Sequence, residues 1–138
     1  MKKISDEPLV IIDGAHNPAG IDVLKETLKV HYPDYKYRFV FSSFKDKNYS
    51  EMLHGLETGA VEIIITEFDH ERAADAKTLY EKCSHPNKSM NKDWQAAITE
   101  GRRKTEGRRK TGDKEILVIT GSLHFLSLVR EFLIREDA

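Results

Sequence analysis

Four short apolar runs are spaced along the chain, and they cover Leu9–Asp13, Tyr35–Ser42, Ala60–Thr66 and Glu115–Thr120. Three of these runs are nearly continuous in β-branched residues and leucine, rather than alternating between apolar and polar positions. Continuous runs of this length are typical of strands that are buried on both faces of a parallel sheet. We therefore predict four buried strands in a mostly parallel sheet.

The segments between the runs carry apolar residues at helical spacing. Ile21, Leu24 and Leu28 form one such stripe. Before this stripe, Asn17 is suited to cap a helix and Pro18 to occupy its first turn. Helices are predicted over Ala19–Val30, Tyr49–Leu56, Ala73–Lys82, Asp93 to about Glu100, and Leu123–Arg135. Alternating strands and helices predict an α/β fold, a Rossmann-like three-layer domain over residues 1–138 with helices on both faces of the sheet.

Two polar segments interrupt this pattern. Ser84–Asn91 contains Pro86 and is predicted to be a loop with room for a short edge strand. Thr99–Lys110 consists of two copies of TEGRRK. Either the repeat is a solvated helix end and loop, or it is a basic patch for phosphate or nucleic acid. We favour the first interpretation, because the repeat lacks interleaved aromatic residues and the rest of the chain is not basic.

Composition narrows the class of protein. The 138 residues are 39% hydrophobic and 33% charged, with a formal net charge of −1, which indicates one globular domain and gives no reason to expect a nucleic-acid or membrane partner. No apolar run approaches the roughly 20 residues of a membrane span, and no apolar segment of a secretory signal follows the first lysines. Cys83 has no partner for an internal disulfide, so we expect a cytoplasmic protein.

The loop after the first strand, Asp13–Pro18, carries the clearest candidate chemistry, because ligands of open parallel sheets bind at the carboxyl ends of the strands. Asp13 is suited to accept hydrogen bonds from a sugar diol, and Gly14 permits a close approach of the backbone to a ligand. The start of the next helix favours a phosphate or carboxylate, and His16 adds a titratable donor. For Asn17, capping is the better interpretation.

The other strand ends offer basic and hydroxyl side chains. Lys45 and Lys47 either pair with a phosphate or an amino-acid carboxylate, or form a solvated turn. Arg72 can reach an anion, although its charged neighbours favour a local salt bridge. Ser122 is suited equally to capping the last helix and to binding a carboxylate.

Several motifs are absent from the sequence. It contains no GxxxxGK[ST] phosphate loop, and the loop at Gly14 lacks GxGxxG spacing. The six histidines show neither HxxxH nor HExxH spacing, so we predict no metal site made by this chain alone.

The segments DGAHNPAG, FSSFKDKNY, ITEFDHERAA and ITGSLHFLSLVREFL, in this order, resemble the C-terminal domain of the folylpolyglutamate synthase/dihydrofolate synthase family, a branch of the Mur ligase superfamily. The resemblance covers nearly the whole chain, and DGAHNP is its most specific part. The repeat at Thr99–Lys110 has no counterpart in the family pattern, so we interpret it as a surface insertion.

This resemblance implies a two-domain enzyme that forms an amide at the expense of ATP through an acyl phosphate. A larger N-terminal ATPase domain, absent here, would carry the phosphate loop and the Mg²⁺ ligands. The C-terminal domain would close over ATP, L-glutamate and a folate. We therefore expect a fragment that folds alone but is inactive.

The resemblance also implies roles for individual residues. Asp13 would hold the ribose of ATP, and His16 would be the catalytic residue near the phosphates and the incoming glutamate. The remaining expected contacts are Gly14 and Asn17 on the nucleotide side, and Ser122, Lys45 and Lys47 on the substrate side. The alternatives are a domain of another Mur-type ligase of cell-wall synthesis, or a stand-alone module that binds a nucleotide or amino acid.

Overall fold

A six-stranded sheet organises the computed structural model, which describes residues 1–136. Its strands are β1 (Lys2–Asp6), β2 (Leu9–Ile12), β3 (Lys36–Phe41), β4 (Ala60–Ile65), β5 (Lys88–Met90) and β6 (Glu115–Thr120). The helices of the same range are α1 (Pro18–His31), α2 (Tyr49–Glu57), α3 (Ala76–Lys82), α4 (Trp94–Lys110) and α5 (Leu123–Glu136).

The strands lie in the order β1-β2-β6-β3-β4-β5, and only β1 is paired antiparallel among the described strands. The four predicted strands are confirmed, and all residues of β2 and β6 are buried. A short edge strand, β5, does form within Ser84–Asn91. Strand β1 was not predicted, because it occupies the other edge of the sheet and is polar and mostly exposed.

Helices cover both faces of the sheet, which confirms the three-layer α/β architecture. Helices α1, α2 and α3 pack on one face, in the cluster that includes Ile11 and Val118. Helices α4 and α5 pack on the other face, around Val10 and Leu117. Since side chains alternate between the faces of a strand, each buried strand supplies both clusters. Within residues 1–136, no helix has the length and apolar character needed to cross a bilayer.

Helix α3 begins at Ala76, three residues later than the predicted start at Ala73. The cause is a long-range pairing, because Ala73 forms an antiparallel bridge with Phe44. The next residue, Ala74, donates its backbone N–H to the carbonyl oxygen of Ser43 at 2.9 Å. These contacts hold the segment before α3 against the loop that follows β3.

The prediction of a solvated helix end at Thr99–Lys110 is correct, since α4 ends at Lys110 and Arg103, Arg108 and Arg109 are exposed, but the predicted loop is wrong. Both copies of the repeat are helical and form the greater part of α4. Gly101 and Thr105 are buried against the sheet, where a β-carbon at Gly101 would lie 2.9 Å from Cδ1 of Leu117. The repeat therefore belongs to the packed layer of the domain.

Ion pairs join this helix to the amino-terminal half of the sheet. The guanidinium of Arg38 binds Glu62 through Nη1 and Glu115 through Nη2, the latter at 3.0 Å. From α4, Lys104 Nζ lies 2.9 Å from Glu62 Oε2, and Arg108 Nε lies 3.7 Å from Glu115 Oε2. Because Arg38, Glu62 and Glu115 are all buried, these pairs fix how the repeat sits on the sheet.

Candidate functional site

A cleft of about 270 Å³ opens at the carboxyl end of the sheet. It is lined by His16, Phe44, Lys47, Arg72, Gly121, Ser122 and Leu123. These residues come from the loops after β2, β6, β3 and β4, which are neighbours in the sheet. After β3 the chain passes to one face of the sheet, and after β6 it passes to the other. This divergence opens a crevice between the two strand ends, and ligands of open α/β sheets bind in crevices of this kind.

His16 and Asn17 lie at the start of α1, on one side of the cleft. Asn17 caps the helix as predicted, because its Oδ1 accepts the backbone N–H of Gly20 at 2.7 Å. His16 Nδ1 lies 3.0 Å from the carbonyl oxygen of Gly14. Since a carbonyl only accepts, Nδ1 carries the hydrogen, and Nε2 of the neutral ring is an acceptor. Nε2 of His16 can therefore accept a hydrogen bond at the edge of the cleft.

Asp13 lies beside the cleft but is not among its lining residues. Its Oδ1 accepts the backbone N–H of Ala15 at 2.9 Å, and its Oδ2 lies 3.1 Å from the amino group of Met1. The backbone at Gly14 is closely approached by Leu123, whose Cδ2 would lie 2.6 Å from a β-carbon at that position. The loop is thus packed against the start of α5.

Ser122 caps α5, as one of its two interpretations predicted. Its Oγ accepts the backbone N–H of Phe125 at 3.3 Å, and the residue is only 2% exposed. A hydroxyl that accepts one hydrogen bond still has its own hydrogen to donate. Ser122 can therefore cap the helix and bind a carboxylate in the cleft at the same time.

Two cations complete the lining, Lys47 after β3 and Arg72 after β4. Arg72 Nη2 lies 2.7 Å from Oδ2 of Asp46, so Arg72 forms a salt bridge with the loop after β3 and not, as was predicted, with the charged residues beside it in sequence. This hydrogen bond lowers the pKa of Asp46. The Cζ atom of Arg72 also lies 4.7 Å from the ring centroid of Phe44. By contrast, the structure does not bring Lys45 to the cleft, although its backbone N–H donates to the carbonyl oxygen of Arg72 at 2.8 Å.

An aromatic cluster of Phe44, Phe68, His70 and His124 borders the cleft. The ring centroids of His70 and His124 are 4.8 Å apart, and those of Phe44 and His70 are 4.9 Å apart. His70 Nδ1 also accepts the backbone N–H of Arg72 at 3.0 Å. The cluster orders the loop that presents Arg72. The cluster could not be predicted from the sequence, because its rings come from two loops and the first turn of α5 without a common spacing.

The electrostatics of the cleft favour an anion. The amino-terminal ends of α1 and α5, both 14 residues long, meet there, and such ends carry partial positive charge. Lys47 adds a positive charge, the guanidinium of Arg72 is paired with Asp46, and no carboxylate lies among the described residues that line the cleft. Within residues 1–136, no group of three or more His, Cys, Asp or Glu side chains is placed to hold a metal ion.

Comparison with known proteins identifies relatives. The chain matches the family described as "Mur ligase, glutamate ligase domain" over residues 1–123. It is 38% identical over 133 residues to the dihydrofolate synthase/folylpolyglutamate synthase of Bacillus subtilis (strain 168), covering 96% of this chain and 30% of that protein. It is 30% identical over 134 residues to the folylpolyglutamate synthase of Lacticaseibacillus casei, covering 97% of this chain and 29% of that protein.

A solved structure supports the same relationship. The folylpolyglutamate synthase of Mycobacterium tuberculosis, complexed with ADP and AMPPCP, matches with a TM-score of 0.86 and 27% identity over 96% of this chain and 31% of that one. The chain spans about 30% of the length of the curated relatives it matches. These matches confirm the resemblance indicated by DGAHNPAG and its companion segments. The chain therefore belongs to the glutamate ligase domain family of the Mur ligases.

Proposed function

We propose that this chain is the C-terminal domain of an ATP-dependent ligase that adds L-glutamate to a folate. One observation carries the proposal: four neighbouring strands each contribute a polar or cationic side chain to a single anion-binding cleft, namely His16, Ser122, Lys47 and Arg72. Glutamate brings two carboxylates, and an acyl phosphate brings a phosphate, so the cleft matches the charge of the reactants. The similarity to folylpolyglutamate synthases supports glutamate and folate as the substrates.

The proposed reaction joins a carboxylate to an amine. Phosphorylation of the folate carboxylate by ATP gives an acyl phosphate and ADP, and the glutamate amine then displaces phosphate. Ser122 and the start of α5 would hold a glutamate carboxylate, while Lys47 and Arg72 would face the phosphate or the second carboxylate. Nε2 of His16 would accept the proton that the amine loses. Asp13 would hold the ribose, with Gly14 and Asn17 beside the nucleotide.

The rest of the machinery would come from a larger N-terminal ATPase domain. This chain has no phosphate loop, and the donors needed for Mg²⁺ are not grouped among its described residues. We therefore assign the Mg²⁺ ligands to that other domain. Its closure over the cleft would exclude water from the acyl phosphate. We expect this enzyme in the cytoplasm, where ATP is abundant.

A chimera tests the proposal. In it, this chain replaces the region of the Bacillus subtilis relative that it matches. The expected result is ADP formation that requires both L-glutamate and a reduced folate or dihydropteroate, with no turnover by the 138-residue chain alone. Turnover by the chain alone, or a chimera that accepts only a cell-wall precursor, would contradict the proposal.

Substitutions in the chimera test the residue roles. Ser122→Ala removes a hydrogen bond to a charged group, a loss of about 1.5–3 kcal/mol, so the KM for glutamate should rise about 10- to 100-fold. Arg72→Gln should also weaken the binding of an anionic substrate. Thr27→Ala is the matched control, because this hydroxyl donates to the carbonyl oxygen of Val23 within α1 at 2.8 Å and is not among the residues that line the cleft. An unchanged glutamate KM in Ser122→Ala would remove that assignment.

A further inference from the structure

Helix α5 has two apolar stripes, and only the inner one is fully buried against the sheet, although Leu126 of the outer stripe also reaches the edge of that core. The inner stripe contains Phe125, Val129 and Leu133, which are fully buried. On the outer face, Leu123 is 60% exposed and Ile134 is 56% exposed. The outer positions Leu123, Leu126, Arg130 and Ile134 follow helical spacing and line a groove of about 540 Å³. A helix that is apolar on both sides is typical of one that packs between two partners.

The groove is continuous with the cleft of the proposed active site. Leu123 lines both, and it also covers the backbone of Gly14. Whatever packs against the groove therefore also closes one wall of the cleft. This continuity points to a partner that takes part in the reaction, because a partner elsewhere on the surface would not border the reactants.

The amino end of the chain lies at the same edge. Because β1 runs antiparallel to β2, Met1 lies beside the end of β2, with its amino group 3.1 Å from Asp13. Asp13 precedes Gly14, which contacts Leu123 at the start of α5. A polypeptide joined at Met1 thus begins beside the cleft and the groove.

We propose that the outer face of α5 is the surface on which the larger, nucleotide-binding domain of the ligase packs. This inference rests on the proposed function. The match covers only 30% of the length of the Bacillus subtilis relative, so most of that protein lies outside the matched region. We assign the larger domain from that remainder as the partner that covers this surface. The packing surface of that domain would be apolar opposite Leu126 and Ile134, and acidic opposite Arg130. Packing there buries Leu123 and excludes water from the cleft.

Side-chain labelling with a photoactivated carbene tests the packing. The 138-residue chain is compared with the Bacillus subtilis chimera. Leu126 and Ile134 should be labelled several-fold less in the chimera than in the isolated chain. Val23 and Val30 are the internal control, because they are 64% and 70% exposed on α1, on the opposite face of the sheet, and should be labelled equally in both. Equal labelling of Ile134 in both proteins would overturn the proposal.

A charged substitution gives an independent test. In the chimera, Ile134→Asp should restore the labelling of Leu126 and raise the KM for ATP on the order of tenfold, as expected for a buried interface side chain. Val23→Asp is the matched control and should change neither. In the 138-residue chain, both variants should unfold at the temperature of the unsubstituted protein, because both side chains are exposed.

Two further outcomes separate this inference from the proposed function. A chimera that turns over folate and glutamate but labels Ile134 freely contradicts the packing surface alone. A chimera that protects Ile134 but requires other substrates supports the packing surface and contradicts folate as the substrate. If sedimentation shows the 138-residue chain as a dimer that Ile134→Asp dissociates, a second copy is the occupant and the proposal is wrong.

Discussion

A β-carbon at Gly121 would lie 1.9 Å from the carbonyl oxygen of Ser42. Gly121 also has a φ of +123°, a backbone conformation that residues with a side chain rarely adopt. The close approach joins the end of β6 to the loop after β3, and it sets the position of Ser122 at the start of α5. The floor of the cleft therefore depends on the absence of a side chain at this residue.

We predict that Gly121→Ala destabilises the domain by more than the about 1–3 kcal/mol of backbone strain alone, because the backbone at Ser42 must also move. Urea unfolding of the 138-residue chain measures the effect. Gly112→Ala is the matched control: its φ is +93°, but no atom lies within 4 Å of the added carbon, so only strain is expected. Equal losses in the two variants would show that the contact with Ser42 is unimportant.

The buried ion pairs give a second prediction. Glu62→Gln should destabilise the domain by about 3–5 kcal/mol, because it removes the negative charge that faces both Arg38 and Lys104 in a buried position. Chemical unfolding measures the loss. Glu131→Gln is the matched control, because its pair with Arg135 is exposed and is expected to contribute less than about 1 kcal/mol. A loss no larger in Glu62→Gln than in the control would contradict the role of the network.

The same carboxylate predicts an acid sensitivity. Burial raises the pKa of Glu62, but the hydrogen bond and charge of Lys104 and the charge of Arg38 outweigh it, so the pKa lies below its ordinary value of 4.5. The ionised form therefore stabilises the fold above pH 4.5, and this contribution is lost as the pH falls through the lower pKa of the folded state. Unfolding free energies measured from pH 7 downward should fall less steeply in Glu62→Gln than in the unsubstituted chain. Parallel curves would contradict the assignment.

The sheet and the helix caps beside the cleft could be predicted from the sequence, because they depend on local patterns. Strands β2 and β6 are buried on both faces and so appear as continuous apolar runs. Asn17 and Ser122 are recognisable because each caps the helix that follows it. Since parallel strands end at the same edge, these loops were expected to meet there.

Other features depend on long-range contacts that no local pattern reveals. Arg72 reaches the cleft because Ala73 pairs with Phe44 across the loop after β3. Strand β1 is recognisable only from its pairing with β2, since its exposed edge position does not require apolar residues. Lys45 and Lys47 are indistinguishable in sequence, yet only Lys47 lines the cleft.

The two copies of TEGRRK are likewise identical in sequence but differ in their long-range contacts, and they supply the last prediction. Gly101 and Gly107 occupy the same place in each copy, but six residues turn a helix by about 600°, so they face different sides of α4. A β-carbon at Gly101 would lie 2.9 Å from Cδ1 of Leu117, whereas no atom lies within 4 Å of one at Gly107. Gly101→Val should therefore destabilise the domain by about 1–3 kcal/mol through overpacking, and Gly107→Val should have little effect. Thermal and urea unfolding of both variants test this, and equal effects would mean that α4 does not rest on the sheet through its first copy.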